Sequence, residues 1–575
     1  MIYKKWKVLP PAPQEFLKKF PHHQKTILNL LYHRIPHEEK SLEEFFNPSY
    51  DLHVHDPFLF RDMKKAVERI SRALQKKEKI AIFGDYDVDG ITSATIISEV
   101  LQKTGAKPIV YLPDRKHEGY SLNLAALRYL KEKGTKLLIT VDCGIRDTEE
   151  VEKANKWGMD VIITDHHLPG EKIPKAFCVI NPQVKNERYP FQDLAGVGVA
   201  FKLASAVVKS YQKEFFTEGY EKWFLDLVAL GTIADMVPLV GENRTLVKYG
   251  LIVLSKTRRK GIKTLFKTSR VPLDEKTIPS SNQISFQIAP RLNAAGRMDH
   301  ANTSFELLNT KSDKKAEELS RDLEEKNGRR QRLTDKIVKE IENRLDLQKK
   351  LVFEGKEDWP MGILGLVAGK ICDKYARPTF VFNVGKERCR GSIRSFGKFK
   401  VVESLEECKN LLLDYGGHDH AGGFSFKKEN WEKLKRKLER IANRILEKED
   451  LALEVNIDQR LSLSDINWKL EEVLKSMEPF GVGNSTPLFL SEGVELFQCN
   501  VVGNGKKHLK MWFKENGKIF ESIAFGKGEK HCSLIAQEKT KVDIVYEIGS
   551  DQWNGEKKIQ LYVKDLRLTP KREKE

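Results

Sequence analysis

Cysteine is scarce in this chain: seven residues in 575, with no two spaced as CxxC. An odd, scattered set does not build a disulfide framework. It fits reduced thiols in the cytoplasm, each read first as a small buried hydrophobe. No run of eighteen apolar residues occurs, so no membrane span is expected. The N-terminal MIYKKWKVLPPAP has no apolar core of the kind a secretory signal needs. No solenoid-type repeat is visible. Acidic residues are in deficit, 82 against 99 Lys and Arg, a formal net charge of +17. That surplus permits polyanion binding through phosphate contacts and counterion release, without specifying a polyanion. Hydrophobic content of 40% suffices for real cores. At ~150 residues per domain, the length suggests about four domains.

Against this background GDYDVDGITS, residues 84–93, stands out. Asp85, Asp87 and Asp89 alternate ahead of Gly90. Like charges repel, so a cation is the obvious reason for the cluster. The opening matches a calcium loop, but the twelfth position is Ile96 where a bidentate Glu is needed. The preceding KIAIF is short, apolar and bounded by charge, which reads as a buried strand and not as the helix of an EF-hand.

From about residue 62 strands alternate with helices. A helix over DMKKAVERISRALQKK leads into KIAIF, and TSATIISEVLQKTG leads to PIVYL. LNLAALRYLKEKG leads to LLITVD, and TEEVEKANKWG to DVIITDHH. This alternation predicts βαβ units and a parallel sheet. Residues 196–300 read as mostly helix. Residues 303–348 are highly charged and proline-free, predicting one long connecting helix with Gly328 as its weak point. LVFEG and PTFVFNV restart a second α/β unit. Short alternating segments after about residue 485, split by turn signals such as NG, predict a small all-β barrel. The expected boundaries are 1–60 for an N-terminal cap, 61–302 for the first α/β domain, 303–348 for the helix, 349–450 for the second α/β domain and 451–575 for the barrel.

The acidic and histidine residues sit at one kind of place. Asp85 and Asp87 follow KIAIF, Asp142 ends LLITVD, Asp165, His166 and His167 end DVIITDHH, and Asp235 follows the apolar run LDLVALGTIA. In a parallel sheet the carboxyl ends of the strands share one edge, and ligand sites form there. Helix N-capping explains any single aspartate, but explains the whole set poorly. Carboxylates with imidazole suit Mn²⁺ or Mg²⁺. A set this rich in aspartate has room for two ions bridged by one carboxylate, Asp142 being the natural bridge. Such centres activate water near neutral pH and stabilise both oxygens of an in-line displacement at phosphorus. Of the adjacent histidines, one is placed for metal and the other for substrate.

GDYDVDG, TVDCGI, TDHH and GTIADMVPL resemble the motifs of the DHH phosphoesterase superfamily. DLHVHDPFLFRDMKKAVERI, PDRKHEGYSLN, FQIAPRLNAAGRM and KWKVLPP are similar to its RecJ branch, the single-strand-specific exonucleases. The resemblance runs across nearly the whole chain. It implies Asp85, Asp87, Asp142, His166 and Asp235 as metal ligands and His167 as the catalytic or phosphate-contacting histidine. Asp89 and Asp165 belong to the motifs and are expected behind the ligands. It also implies a 5′-to-3′ exonuclease that releases mononucleotides from single-stranded DNA. The setting would be repair and recombination, with a helicase and a single-strand-binding protein supplying substrate to a cytoplasmic monomer. Two rivals stay open: a DHH phosphohydrolase acting on short RNA, cyclic dinucleotides or polyphosphate, and a degenerate scaffold.

The groups that would hold nucleic acid are Arg115, then Arg291, Asn293 and Arg297 in APRLNAAGRM, since arginine donates two bonds at once to phosphate. Ion-paired surface arginines are an equal alternative for any one of them. In the second unit, RGSIRS carries Arg390, Ser392 and Arg394, and YGGHDHAGGF carries Gly416, Gly417 and His418. Glycines this dense let backbone N–H groups approach an anion. GGHDHAGGF resembles the signature of the DHHA1 substrate-binding domain, with Gly422 where alanine is common and Asp419 and His420 as an unusual pair. The barrel resembles the family's OB fold, which binds single strands in a basic, aromatic groove.

Overall fold

The computed structural model describes residues 4–115, 117–447, 451–503, 505–528, 540–553 and 556–570. The chain divides into two compact units. One contains residues 54–237 and 245–453, and the other residues 4–53, 238–244 and 454–575.

In the first unit, five parallel strands run in the order Ile109–Tyr111, Lys79–Gly84, Thr135–Val141, Asp160–Thr164 and Cys178–Ile180. Near-continuous apolar runs such as LLITV and DVIIT suit strands buried on both faces, and all but the edge residues are buried. The chain first passes from Lys79–Gly84 to the neighbour on one side, then returns to the neighbour on the other. This reversal is a topological switch point, and it opens a crevice beyond the carboxyl ends of Lys79–Gly84 and Thr135–Val141. Helix Val88–Lys103 starts at that crevice and is buried along nearly its whole length. It packs on helices Gly196–Ser210 and Leu225–Asp235. LDLVALGTIA is therefore a buried helix, and Asp235 is its last residue, not a strand-end residue. An apolar run of this length fits either element by pattern alone.

The charged connecting region is shorter than its composition predicts. A first helix ends at Asn309, Thr310 is extended, and Ser312 caps a new helix, Asp313–Glu342, by accepting from Lys315 N. That helix runs through Gly328 without interruption. The second α/β part forms a mixed sheet in the order Leu412–His418, Ala421–Lys427, Arg388–Arg394, Thr379–Val384 and Val352–Lys356. Only the last pair is parallel. Phe353, Phe380, Phe382, Phe424 and Phe426 fill its core.

In the second unit, strands Phe489–Val502, His508–Glu515, Lys518–Ala524, Glu556–Leu568 and Lys541–Trp553 pair in that order. The first and last also pair, which closes a five-stranded barrel. The N-terminal residues pack here. Strand Lys4–Val8 pairs with Leu453–Ile457, and Phe16, Leu30, Leu31 and Phe45 share a core with Leu509, Phe513, Tyr546 and Leu561. Asp565 accepts from Trp6 Nε1 at 2.9 Å and from Lys527 Nζ at 2.7 Å. Arg244, 2% exposed, donates to the carbonyls of Phe45, Met477 and Glu478 at 2.9–3.0 Å, with its guanidinium 3.9 Å from the Phe45 ring centre. One buried cation thus satisfies backbone groups from separate parts of the sequence.

Candidate metal centre and nucleic-acid cleft

The strand-end carboxylates converge as the sheet topology requires. Three overlapping donor sets form: Asp85, Asp87 and Asp142; Asp142, His166 and His167; and Asp89, His166 and Asp235. In each, one ligand atom per residue lies within 4.8 Å of the others. Asp142 and His166 each belong to two sets. His166 Nε2 is 3.3 Å from Asp142 Oδ1, 3.6 Å from Asp235 Oδ2 and 3.9 Å from Asp89 Oδ2. Asp142 sits at φ +60°, a left-handed conformation uncommon outside glycine, at the point where its side chain must turn into the cluster. Gly196 makes room for it, since a Cβ there would come within 2.5 Å of Asp142 Oδ1.

Two further aspartates hold this arrangement in place. Asp89 is buried and accepts from Gly196 N and Val197 N, both at 2.7 Å, fixing the start of helix Gly196–Ser210 beside Asp142. Asp165 accepts from Ile145 N at 3.0 Å, His166 N at 2.7 Å, His167 N at 3.1 Å and His167 Nδ1 at 2.7 Å. These bonds set both histidine rings: His166 faces the carboxylates, and His167 faces an open cavity. Asp87 does two jobs, because its Oδ1 also caps helix Val88–Lys103 through Asp89 N and Gly90 N.

The electrostatics are those of a site built for positive charge. Burial, followed by the neighbouring carboxylates, pushes Asp85, Asp89 and Asp142 well above the usual carboxylate range. Burial and the Asp87 charge push Asp235 up to about 7. Burial, reinforced by His167, takes His166 down to about 4. Burial also works to lower His167, but the Asp165 bond and charge outweigh it and the net shift is upward. Asp85 Oδ1, Asp142 Oδ1 and His166 Nε2 are buried acceptors with no hydrogen-bond partner. Buried acceptors are rarely left so, and three orphans aimed at one space fit divalent cations held by oxygen and imidazole.

A cavity of about 310 Å³ adjoins His167. Tyr120, Arg146 and Asp165 line it from the first sheet, and Gly417 and His418 close it from the glycine-rich hairpin. Gly417 has φ +143°, and a Cβ on it would come within 2.3 Å of the Ala421 carbonyl, so the close pairing with Gly422 requires glycine. His418 is held below its usual value by burial and by Arg146 and His167, which face it. Tyr120 escaped sequence reasoning although PDRKHEGYSLN contains it. Its hydroxyl is 3.1 Å from His167 Nδ1 and 3.4 Å from the Asp142 carbonyl. A lone tyrosine in a loop carries no pattern that marks it.

The predicted phosphate-binding residues are distributed unevenly. Arg115 lies over the Tyr86 ring at 4.9 Å. Burial, then Arg115 and Arg330, lowers Arg297 to about 10. Burial lowers Arg394, and Arg115 adds to the shift. Arg394 and Ser392 approach Gly365 at the start of helix Leu364–Tyr375. Arg115 thus repels both Arg297 and Arg394, and Arg297 also feels the Asp87 carboxylate of the metal cluster. Arg330, from the connecting helix, was not anticipated. Arg390 sits on the same strand as Ser392 and Arg394, its register partner being Ser425. Gly416 pairs with Gly423, and no atom lies within 4 Å of a Cβ built on Gly416. Asn293 Oδ1 accepts from Val88 N at 3.2 Å, so it supports the active-site helix. Arg291 is engaged by Glu324 of the long helix, its Nη2 at 3.2 Å from Oε1.

The DHH family N-terminal domain matches residues 79–232, the DHHA1 domain residues 347–445 and the RecJ OB domain residues 457–565. The single-stranded-DNA-specific exonuclease RecJ of Haemophilus influenzae is 34% identical over 467 residues, 78% of this chain and 80% of that protein. This chain belongs to the RecJ family. The RecJ exonuclease of Bacillus subtilis is 36% identical over 524 residues, 90% of this chain. The chain spans 65% of that relative's length. RecJ from Thermus thermophilus in complex with Mn²⁺ has a similar structure, with a TM-score of 0.83 at 27% identity, covering 99% of this chain and 80% of that one. The orphaned acceptors described above lie in the DHH part of this RecJ-family chain, where the donor set is rich enough for two divalent ions, Mn²⁺ or Mg²⁺.

Proposed function

We propose that this chain is a Mn²⁺- or Mg²⁺-dependent exonuclease that hydrolyses single-stranded DNA from its 5′ end to mononucleotides, acting in DNA repair and recombination. The carrying observation is the convergence of three donor sets on Asp142 and His166 beside a cavity closed by the DHHA1 hairpin. Asp85, Asp87, Asp142, His166 and Asp235 would hold two ions, with Asp142 shared between them. When bound, the ions activate water and neutralise charge on the phosphoryl oxygens.

The chain's own residues do the rest. Asp165 holds His167 by its Nδ1, and Nε2, 3.4 Å from the Tyr120 hydroxyl, is the nitrogen for an oxygen of the scissile phosphate. Arg115, Arg297, Arg394 and Ser392 receive the 5′-terminal phosphates, where an anion relieves the repulsion of Arg115 with Arg297 and with Arg394. Gly417 and His418 line the second wall, with Gly416 and Arg390 on the strands that carry it, while Asn293 and Arg291 brace the first. The working boundaries are cap 1–60, DHH 61–302, connecting region 303–348 with its long helix Asp313–Glu342, DHHA1 349–450 and OB barrel 451–575. The enzyme acts as a cytoplasmic monomer, and a helicase with a single-strand-binding protein supplies its substrate. No helix among the described residues is long and apolar enough to cross a membrane.

The test is a time course on 5′-labelled and 3′-labelled single strands with Mn²⁺, beside blunt duplex and short RNA, with Asp142→Ala as control. Early release of the 5′ label from single-stranded DNA alone, lost in the variant, supports the reading. Cleavage confined to short RNA or dinucleotides would reassign the substrate. No cleavage by either protein would leave a scaffold.

A further inference from the structure

Arg115 and Tyr120 come from one loop, 112–123, between the edge strand Ile109–Tyr111 and helix Leu124–Glu132. A loop has no ladder to hold it, so its side chains are placed only as well as its polar groups are tied down. Two carboxylates tie this one. Glu118 Oε1 accepts from the Tyr111 hydroxyl at 2.6 Å and from Asn123 Nδ2 at 3.3 Å, and its Oε2 accepts from Asp114 N at 2.7 Å. Tyr111 ends the strand, and Asn123 caps the helix by accepting from Ala126 N at 2.8 Å. One side chain therefore joins the end of the strand, the turn and the start of the helix. Asp114 folds the chain back toward it: its carbonyl accepts from Glu118 N at 2.8 Å and Gly119 N at 3.2 Å, and its Oδ1 from His117 N at 2.9 Å.

The second carboxylate is Asp147. It stands at the N-cap of helix Thr148–Lys156, yet its side chain makes no cap bond there. Its Oδ2 instead accepts from Leu122 N at 2.9 Å and from the Ser121 hydroxyl. These bonds hold Ser121 at φ +73°, a left-handed conformation that costs free energy in a non-glycine residue. The far end of the loop is thus pinned next to Tyr120, whose hydroxyl is 3.1 Å from His167 Nδ1. Glu118 sets the near end, where Arg115 follows Asp114 and lies over the Tyr86 ring.

We infer that Glu118 is a positioning residue that sets the preference for a 5′-terminal phosphate, by fixing the backbone from which Arg115 leaves. This rests on the exonuclease reading and on its assignment of Arg115 to that phosphate. Glu118 acts through Arg115 and not on the phosphate itself. Misplacing a phosphate-binding cation weakens the hold on a charged end and leaves an uncharged end unaffected. A purely structural carboxylate would affect both ends alike.

The test measures kcat and KM of the full chain with Mn²⁺ on one single strand carrying either a 5′-phosphate or a 5′-hydroxyl. Glu118→Ala should lower the preference for phosphate about tenfold, carried by KM, with Mn²⁺ stoichiometry unchanged. Glu118→Gln should restore it, since the amide oxygen accepts from Asp114 N while the NH₂ group donates to the Tyr111 oxygen, and only the long Asn123 contact is lost. Tyr111→Phe removes one anchor, keeps the ring stacked on Phe83, and should lower the preference about threefold. In Arg115→Ala the preference should be gone, and adding Glu118→Ala should lower it no further. A preference unchanged in Glu118→Ala, or equal losses on the two ends, overturns the inference and leaves the exonuclease reading intact. If Glu118→Ala does not fold, Tyr111→Phe decides, and an unchanged preference there overturns it. A parent chain that takes both ends with equal KM overturns the inference together with the role of Arg115, and one that degrades no single strand overturns the exonuclease reading as well.

Discussion

Asp165 offers the sharpest separation of roles within the site. It lies in the triplet Asp165-His166-His167, yet its two oxygens are committed to three backbone N–H groups and to His167 Nδ1. Asp165→Asn keeps the shape, removes the charge, and turns an NH₂ group toward at least one existing donor. Hydrogen bonds to charged groups contribute about 1.5–3 kcal/mol, and the donor-to-donor contact adds to the loss. If the weakened hold on His167 is felt in the transition state, about 3 kcal/mol corresponds to a fall of roughly 150-fold in kcat. The assay is single-strand exonuclease turnover at saturating Mn²⁺, paired with Mn²⁺ titration calorimetry. The expected result is a large kcat loss with both ions still bound. Turnover within threefold of the parent would refute the positioning role. Loss of ion binding equal to that of Asp142→Ala would make Asp165 a ligand and refute it differently.

Other consequences follow from the packing. Gly196→Ala places a methyl group within 2.5 Å of Asp142 Oδ1 and should weaken Mn²⁺ binding and lower kcat at least tenfold, measured by calorimetry and turnover, with little change in melting temperature. Arg244→Met strips buried carbonyls of their donor and should cost the barrel unit about 3 kcal/mol in urea denaturation followed by fluorescence; a loss under 0.5 kcal/mol would contradict the account. In Asp565, burial pushes the carboxyl up, but Lys527 and Trp6 outweigh it and hold it below its usual value. The folded value being the lower one, its stabilisation is present above the unfolded value, about 3.9, and is lost as pH falls through the folded value. Asp565→Asn should therefore cost about 1 kcal/mol at pH 7 and progressively less as pH falls through the folded value; a pH-independent difference would contradict this.

The sequence showed the three central strands of the catalytic sheet clearly, because parallel strands buried on both faces leave continuous apolar runs, and these three end in Asp85, Asp142 and Asp165; the short edge strand Cys178–Ile180 left no such run and was missed. It showed the barrel through alternation between turn signals. Asp235 was found from its motif but placed on the wrong element, since an eleven-residue apolar helix and a buried strand share a composition. The break at Thr310–Ser312 was missed because three polar residues within a charged helix leave the helical spacing intact. The packing of the N-terminal helices against the barrel depends on contacts more than 400 residues apart, such as Asn29 with Gln459, and no local pattern encodes them. Tyr120 and Arg330 were missed for the same reason. The division of labour among Asp87, Asp89 and Asp165 needed coordinates, because capping and ligation use the same side chain.

Asp85, Asp87, Asp142, His166 and Asp235, five side chains from four segments, are proposed to form one two-ion centre. Mn²⁺ stoichiometry by titration calorimetry on the full chain, after stripping with chelator, tests it most directly. Two ions per chain are expected for the parent, with loss of at least one in Asp142→Ala, since Asp142 belongs to two of the donor sets. A parent chain that binds one ion or none, or an Asp142→Ala chain that keeps two, would contradict it.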